Sequence, residues 1–224
     1  MTNQLWGDLM PRLVTAATCL GLTALLAACG GGGGVTVDRD FVVGKADQFE
    51  ALSDRLDTIA PTQFTAMPTS GSASFKGVGG FFVENNVNRV SDDLTIAGDA
   101  DITANFSRGT VTGDVTNLFG VVGDNAKTGR FFDVDGDIQL GSRGSSIGRG
   151  APNNFATTYD GTLRTDNDGT FVLRGTVDGK FGGTRPPSAG TPATIRAIGG
   201  VDEDAGITRN GRAIDAEFLV IGEQ

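Results

Sequence analysis

The chain has 224 residues, with 18 Lys and Arg against 27 Asp and Glu, a net charge of −9, and no His. That length suits one all-β domain or two very small ones, and is enough to bury a core if most of the chain folds. Without histidine there is no Ser-His-Asp triad, Cys-His pair, histidine metal ligand or histidine pH switch, and the acidic balance is wrong for nucleic acid.

Residues 13–28 form an apolar run of 16, directly after Arg12. A membrane-spanning helix needs about 20 such residues, so the run fits the hydrophobic region of a secretory signal instead. Asp8 is unusual in such a leader, and Met10-Pro11-Arg12 offers a cleaner alternative start. The run ends in Leu26-Ala27-Ala28-Cys29-Gly30, which closely resembles the lipobox of bacterial lipoproteins. That resemblance implies cleavage between Ala28 and Cys29 and lipid on Cys29. Gly30, with no acidic residue after the cysteine, resembles lipoproteins sorted to the outer membrane. More than one acyl chain gives stable anchoring. The leader would carry away Cys19 and Trp6, leaving an exported domain without a disulfide.

Five glycines, Gly30 to Gly34, then read as a flexible tether. From Ala46 to Ile59, Phe49, Leu52, Leu56 and Ile59 recur at helical spacing, and Pro61 stops the run. From Ser70 the period changes to two. Ala73 and Phe75, then Ile102, Ala104 and Phe106, then Val111 and Val115 alternate with mostly polar residues. The same holds for Phe171 through Phe181 and for Ile214 through Val220. This is the spacing of half-buried strands. Ser107-Arg108-Gly109, Gly161, Asn167-Asp168-Gly169 and Asn210-Gly211 read as turns.

The expected fold is all-β: a single eight-stranded antiparallel barrel preceded by a short amphipathic helix. The expected divisions are 1–28 for the signal, 29–45 for the lipidated cysteine and tether, 46–61 for the helix and 62–224 for the barrel. Glycines on the apolar face, Gly113, Gly175 and Gly179, fit tight curvature or close strand packing. With Ala104 they also leave room for a cavity. Gly141 to Asn154 and Arg185 to Pro192 read as long loops.

Several stretches carry a family likeness. Met67 to Gly77 resembles the opening strand of the β-barrel domain of transferrin-binding protein B and related bacterial surface lipoproteins. Leu94 to Leu118, Gly169 to Thr184 and the closing Asp215-Ala216-Glu217-Phe218 are similar to the same domain. The resemblance implies an eight-stranded barrel on an outer-membrane lipoprotein. Larger members bind host iron or haem proteins, and others bind host regulatory proteins. This chain has room for one barrel only, so the fold carries over better than the ligand.

No constellation speaks for catalysis, and the chain is expected not to be an enzyme and to need no cofactor. Gly144-Ser145-Ser146-Ile147-Gly148 has the nucleophile-elbow spacing but lacks a following helix and a histidine. Asp215 and Glu217 alternate onto the solvent side, where nothing separates their pKa values. Asp133, Asp135 and Asp137 offer oxygen ligands of the kind calcium takes. Gly136 falls fourth there rather than sixth as in the helix-flanked calcium loop, and Asp before Gly more often makes a turn. Asp166-Asn167-Asp168 and Asp202-Glu203-Asp204 read the same way.

In the Gly141 to Asn154 segment, Arg143 and Arg149 suit an anionic ligand, and a solvated loop accounts for them equally. With Asn153 they make up the candidate binding loop. The expected role is a membrane-tethered binding module for a host protein or an iron- or haem-related ligand. A structural envelope lipoprotein and a periplasm-facing solute-binding barrel are the alternatives. The expected partners are the membrane, through the lipid, and that ligand, with no nucleic acid.

Overall fold

The computed structural model describes residues 37–83, 93–123, 128–183, 192–199 and 205–224. The signal, Ala28, Cys29 and the glycine tether lie outside the described residues. So do 184–191, which hold most of the second expected loop, and the acidic cluster at 202–204.

Asp38 caps the first helix, α1 (Arg39–Thr58), its side chain accepting from the Phe41 amide at 2.8 Å. The helix therefore starts seven residues before the expected Ala46. Its buried stripe runs Val42, Lys45, Phe49, Leu52 and Leu56, at spacings of three and four. Lys45 interrupts that stripe with a charge, which its pairing with Asp99 on the barrel wall satisfies. A hydrophobic-period reading stops at such a residue. Asp40 in the first turn and Arg55 in the last complement the helix dipole.

Eleven strands follow. They are β1 (Ser72–Val83), β2 (Leu94–Asn105), β3 (Thr110–Val122), β4 (Arg130–Asp133), β5 (Ile138–Ile147), β6 (Asn154–Thr165), β7 (Gly169–Gly182), β8 (Thr194–Gly199), β9 (Ile207–Arg209), β10 (Arg212–Ala213) and β11 (Ala216–Glu223). Neighbours pair antiparallel in the order β7-β6-β5-β3-β2-β1-β11-β8, and β8 pairs back onto β7. The ring closes at eight strands, as the alternation predicts. β4 lies along the far half of β3, and the β9–β10 hairpin along the near half of β7.

Inward positions make one continuous apolar core, including Phe75, Ile102, Val115, Phe171 and Phe218. Outward positions are polar along most of the wall, as in the alternating burial of β7. The exception is a strip on β3 and β11 that α1 covers. Val42 packs against Phe119 and Val121, and Leu52 and Leu56 against Leu219 and Ile221. Arg55 pairs with Glu223 and Arg196 with Asp57, fixing the end of the helix to the wall.

Two expectations are corrected. The Gly141 to Asn154 segment is mostly strand. β5 runs through Ile147, and its register jumps from Leu140↔Tyr159 to Ser145↔Thr157. The extra residues form a wide bulge, with Gly141 at φ 77° and Gly144 at φ 138°. Gly161 is no turn either. It lies inside β6 opposite Ile138, where a Cβ would sit 2.6 Å from the Asp137 carbonyl. The other turn signals hold, and Asn210 and Gly211 both take the positive φ of a tight hairpin.

The inward glycines do not leave a cavity. Gly175 faces Tyr159 and Gly179 faces Phe155 in the β6–β7 register. A Cβ on Gly175 would lie 2.2 Å from the Tyr159 ring, and one on Gly179 2.2 Å from the Phe155 ring. The rings occupy the space that the missing side chains release. Phe155 packs against Phe181 at 5.1 Å between centroids, and Phe181 in turn meets Phe106 and Phe75. Tyr159 stacks on Phe218 at 4.1 Å and 9°.

Gly179→Ala should therefore destabilise the barrel by about 1–3 kcal/mol in urea unfolding, through overpacking. Adding Phe155→Leu should return part of the loss, a coupling that independent sites would not show. Strictly additive effects would mean that the ring and the glycine do not share that space.

Candidate functional site

Among the described residues the interior holds two hydroxyls: that of Thr157 donates to the Val111 carbonyl at 3.0 Å, and that of the Tyr159 phenol to the Ala205 carbonyl. Burial pushes this phenol up from its ordinary pKa. It stays protonated and bonded at neutral pH, and its ring stacks on Phe218.

The candidate binding loop comes apart in the structure. Arg143 sits in the β5 bulge and reaches along the outer wall, pairing with Asp160 and donating to the Gly175 carbonyl at 2.9 Å. It ties β5 to β6 and β7. Asn153 is buried, and its amide donates to the Thr62 carbonyl at 2.8 Å. Arg149 alone remains exposed in the β5–β6 turn, with no ion-pair partner among the described residues. Of the serine motif, Ser146 lies next to the end of β5, opposite Ala156. Its neighbour Ser145 accepts a bond from the Val111 amide at 2.9 Å, replacing a ladder bond that the bulge removes.

Asp133, Asp135 and Asp137 are exposed. Their segment is the break between β4 and β5, which together act as one interrupted wall strand. Asp135 bridges across to Arg164 of β6 through both backbone groups, at 2.9 Å each. The carboxylates are by-products of this kink. Among the described residues no three His, Cys, Asp or Glu side chains gather as metal ligands. Asp215 is exposed where β10 leads into β11.

One constellation was not expected. Asp168, in the β6–β7 turn, accepts from Arg130 of β4 at 2.9 Å and from Arg209 of β9 at 3.3 Å. Its side chain is 12% exposed. Arg130 stacks over Phe132 and Arg209 over Phe171. A carboxylate between two stacked guanidinium groups is a structural suture, joining both interrupted strands to one turn. The sequence signal reads as an Asp-Gly turn, because neither arginine is near Asp168 in the chain.

The end of the barrel where α1 finishes is closed by the segment before β1. The Thr62 amide donates to the Phe181 carbonyl, and the Phe181 amide donates to the Asn153 carbonyl, each at 2.9 Å. The Thr62 hydroxyl donates to Gly183 at 2.6 Å. Gly71 joins the β2–β3 turn through Ser107 and Phe106, and Ile147 joins it through Gly109. Met67 packs on the core from this end. Phe64, on the 3-10 turn (Phe64–Ala66), projects outward and is 59% exposed. No family model matches the chain, and neither a curated protein nor a solved structure matches it.

Asp168→Ala should cost about 2 kcal/mol by removing charge-assisted bonds to both arginines. Chemical unfolding of the variant against wild type measures it. Asn153→Ala should leave the buried Thr62 carbonyl unpaired, costing about 1–3 kcal/mol. Limited proteolysis should then cut between α1 and β1 sooner than in wild type. Unchanged cleavage there would show that Asn153 does not hold the plug.

Proposed function

We propose that the chain is an outer-membrane lipoprotein, anchored through Cys29, whose barrel binds a protein ligand on its outer surface. The observation that carries the second half is the filled interior. Phe75, Phe155, Phe171, Phe181, Phe218 and Tyr159 are all essentially fully buried inside a closed eight-stranded wall. A barrel of that size holds side chains or one small ligand, and here side chains take the room. Haem or another small solute would have to displace that packing, whereas a protein needs only the surface.

The first half is supported by the lipobox resemblance, Leu26-Ala27-Ala28-Cys29-Gly30. The closed antiparallel barrel with a helix before it is also what the resemblance to the transferrin-binding protein B barrel implies. Charged outward positions such as Asp101, Asp160, Arg174 and Lys180 suit a wall in water. A membrane-spanning barrel carries an apolar band there.

Mass spectrometry of the N-terminal peptide should show diacyl- or triacyl-modified Cys29. Cys29→Ala should abolish the modification and move the processed protein out of the membrane fraction. Protease treatment of intact cells then assigns the face. Loss of the barrel places it outside, while protection until the envelope is opened places it in the periplasm and removes a host protein as ligand. An unmodified N-terminus on wild type would overturn the anchor.

A further inference from the structure

Among the described residues, the two ends of the barrel differ in charge. Where α1 begins, the described turns mix both signs, with Asp166, Asp168 and Asp215 near Arg209 and Arg212. At the opposite end, residues 59–71, 106–109 and 148–153 carry Arg108 and Arg149 and no Asp or Glu. This holds in a chain whose acids outnumber its bases 27 to 18. Asp57 and Glu223, whose elements finish at that end, are each paired with an arginine, Arg196 and Arg55. Arg108 and Arg149 are exposed and make no ion pair among the described residues.

Phe64 stands at the same end. Only it and Val172 are exposed among the large described hydrophobics, and Val172 lies on the β7 wall. Phe64 is not a loose loop residue. The Ala66 amide donates to Gln63 at 2.9 Å and the Met67 amide to Phe64 at 3.3 Å, while Thr62 is bonded to both β7 and Asn153. A rigid backbone that presents an exposed aromatic ring has little ordering entropy left to lose on binding. Aromatic and arginine side chains are also the residues that dominate protein interfaces.

We propose that this end, with Phe64 beside the turns of Arg108 and Arg149, is a docking surface for a partner protein offering an apolar slot rimmed by Asp and Glu. The proposal rests on the binding-module reading and names its surface. Charge complementarity gives the partner its acidic rim. The chain's entry favours a protein over the anchoring membrane. Val37 packs with Phe119 and Val121 at the other end of the barrel. Eight residues from Cys29 to Val37 span at most about 28 Å. The chain that carries Cys29 therefore joins the barrel at the α1-start end, opposite the end that carries Phe64.

The test uses the full chain in cells, with a photoreactive benzoylphenylalanine in place of Phe64 and, as control, in place of Asn167 in the β6–β7 turn. The expected result is a cross-link from position 64, not 167, to another protein through a peptide rich in Asp and Glu. Its yield should fall about tenfold in the Arg108→Gln/Arg149→Gln variant, as removal of two rim charges implies, and also at high salt. Circular dichroism of that variant checks that the barrel is intact.

Cross-links to lipid, to a second copy of this chain, or equally from both positions would overturn the proposal, as would no adduct at all. The N-terminal peptide mass from the same cells separates the two readings. An adduct without lipid supports the surface and removes the anchor, and lipid without an adduct does the reverse.

Discussion

Eight strands closed on themselves leave an interior that side chains or one small ligand can fill. The rest of the molecule follows from how this chain fills that space. It pairs aromatic rings with glycines across adjacent strands. Tyr159 lies over Gly175, Phe155 over Gly179, and Phe132 over Gly120. Each pair lets a large ring lie flat against the neighbouring backbone instead of pressing on a Cβ. The glycines thus serve volume rather than flexibility. A core built this way gives to rings the space that those glycines release.

Filling the inside does not by itself complete the wall. Strands β4 and β5 form one interrupted strand, and β8 and β9 form another. The breaks leave backbone groups without ladder partners, and other groups take up the bonds. Asp135 bridges to Arg164 at the first break, and the Arg174 amide bonds the Gly206 carbonyl at the second. Asp168 then draws Arg130 and Arg209 onto one turn. The apolar strip left on the outside is covered by α1. A helix laid across β3 and β11 buries surface that would otherwise invite aggregation.

The strands read most clearly were those with one apolar face throughout. In β7, Phe171, Leu173, Val177 and Phe181 alternate without interruption, and every one faces inward. β5 was illegible because its bulge resets the alternation, and glycines with positive φ look like loop residues. The helix start was hidden by Lys45, a charge inside the buried stripe whose partner Asp99 lies 54 residues away. The same distance problem hid the site geometry. Arg143 and Asn153 carry polar groups that suit a ligand, but only the fold reveals that Asp160, Gly175 and Thr62 already engage them. Chain order shows which groups exist, and burial and pairing decide which remain available.

The two ends of the barrel divide the work. The end where α1 begins holds the arginine suture and Val37, where the described chain begins. The other end is closed by backbone bonds that run from Thr62 through Phe181 to Asn153. Such a plug resists local opening, because each bond sits against the packed ring of Phe181. A side chain mounted on it keeps its orientation without help from a ligand. Phe64 occupies that mount, exposed where other rings of the chain are packed. The arginine suture and the Phe64 turn thus lie at opposite ends of the wall, each held by its own set of bonds.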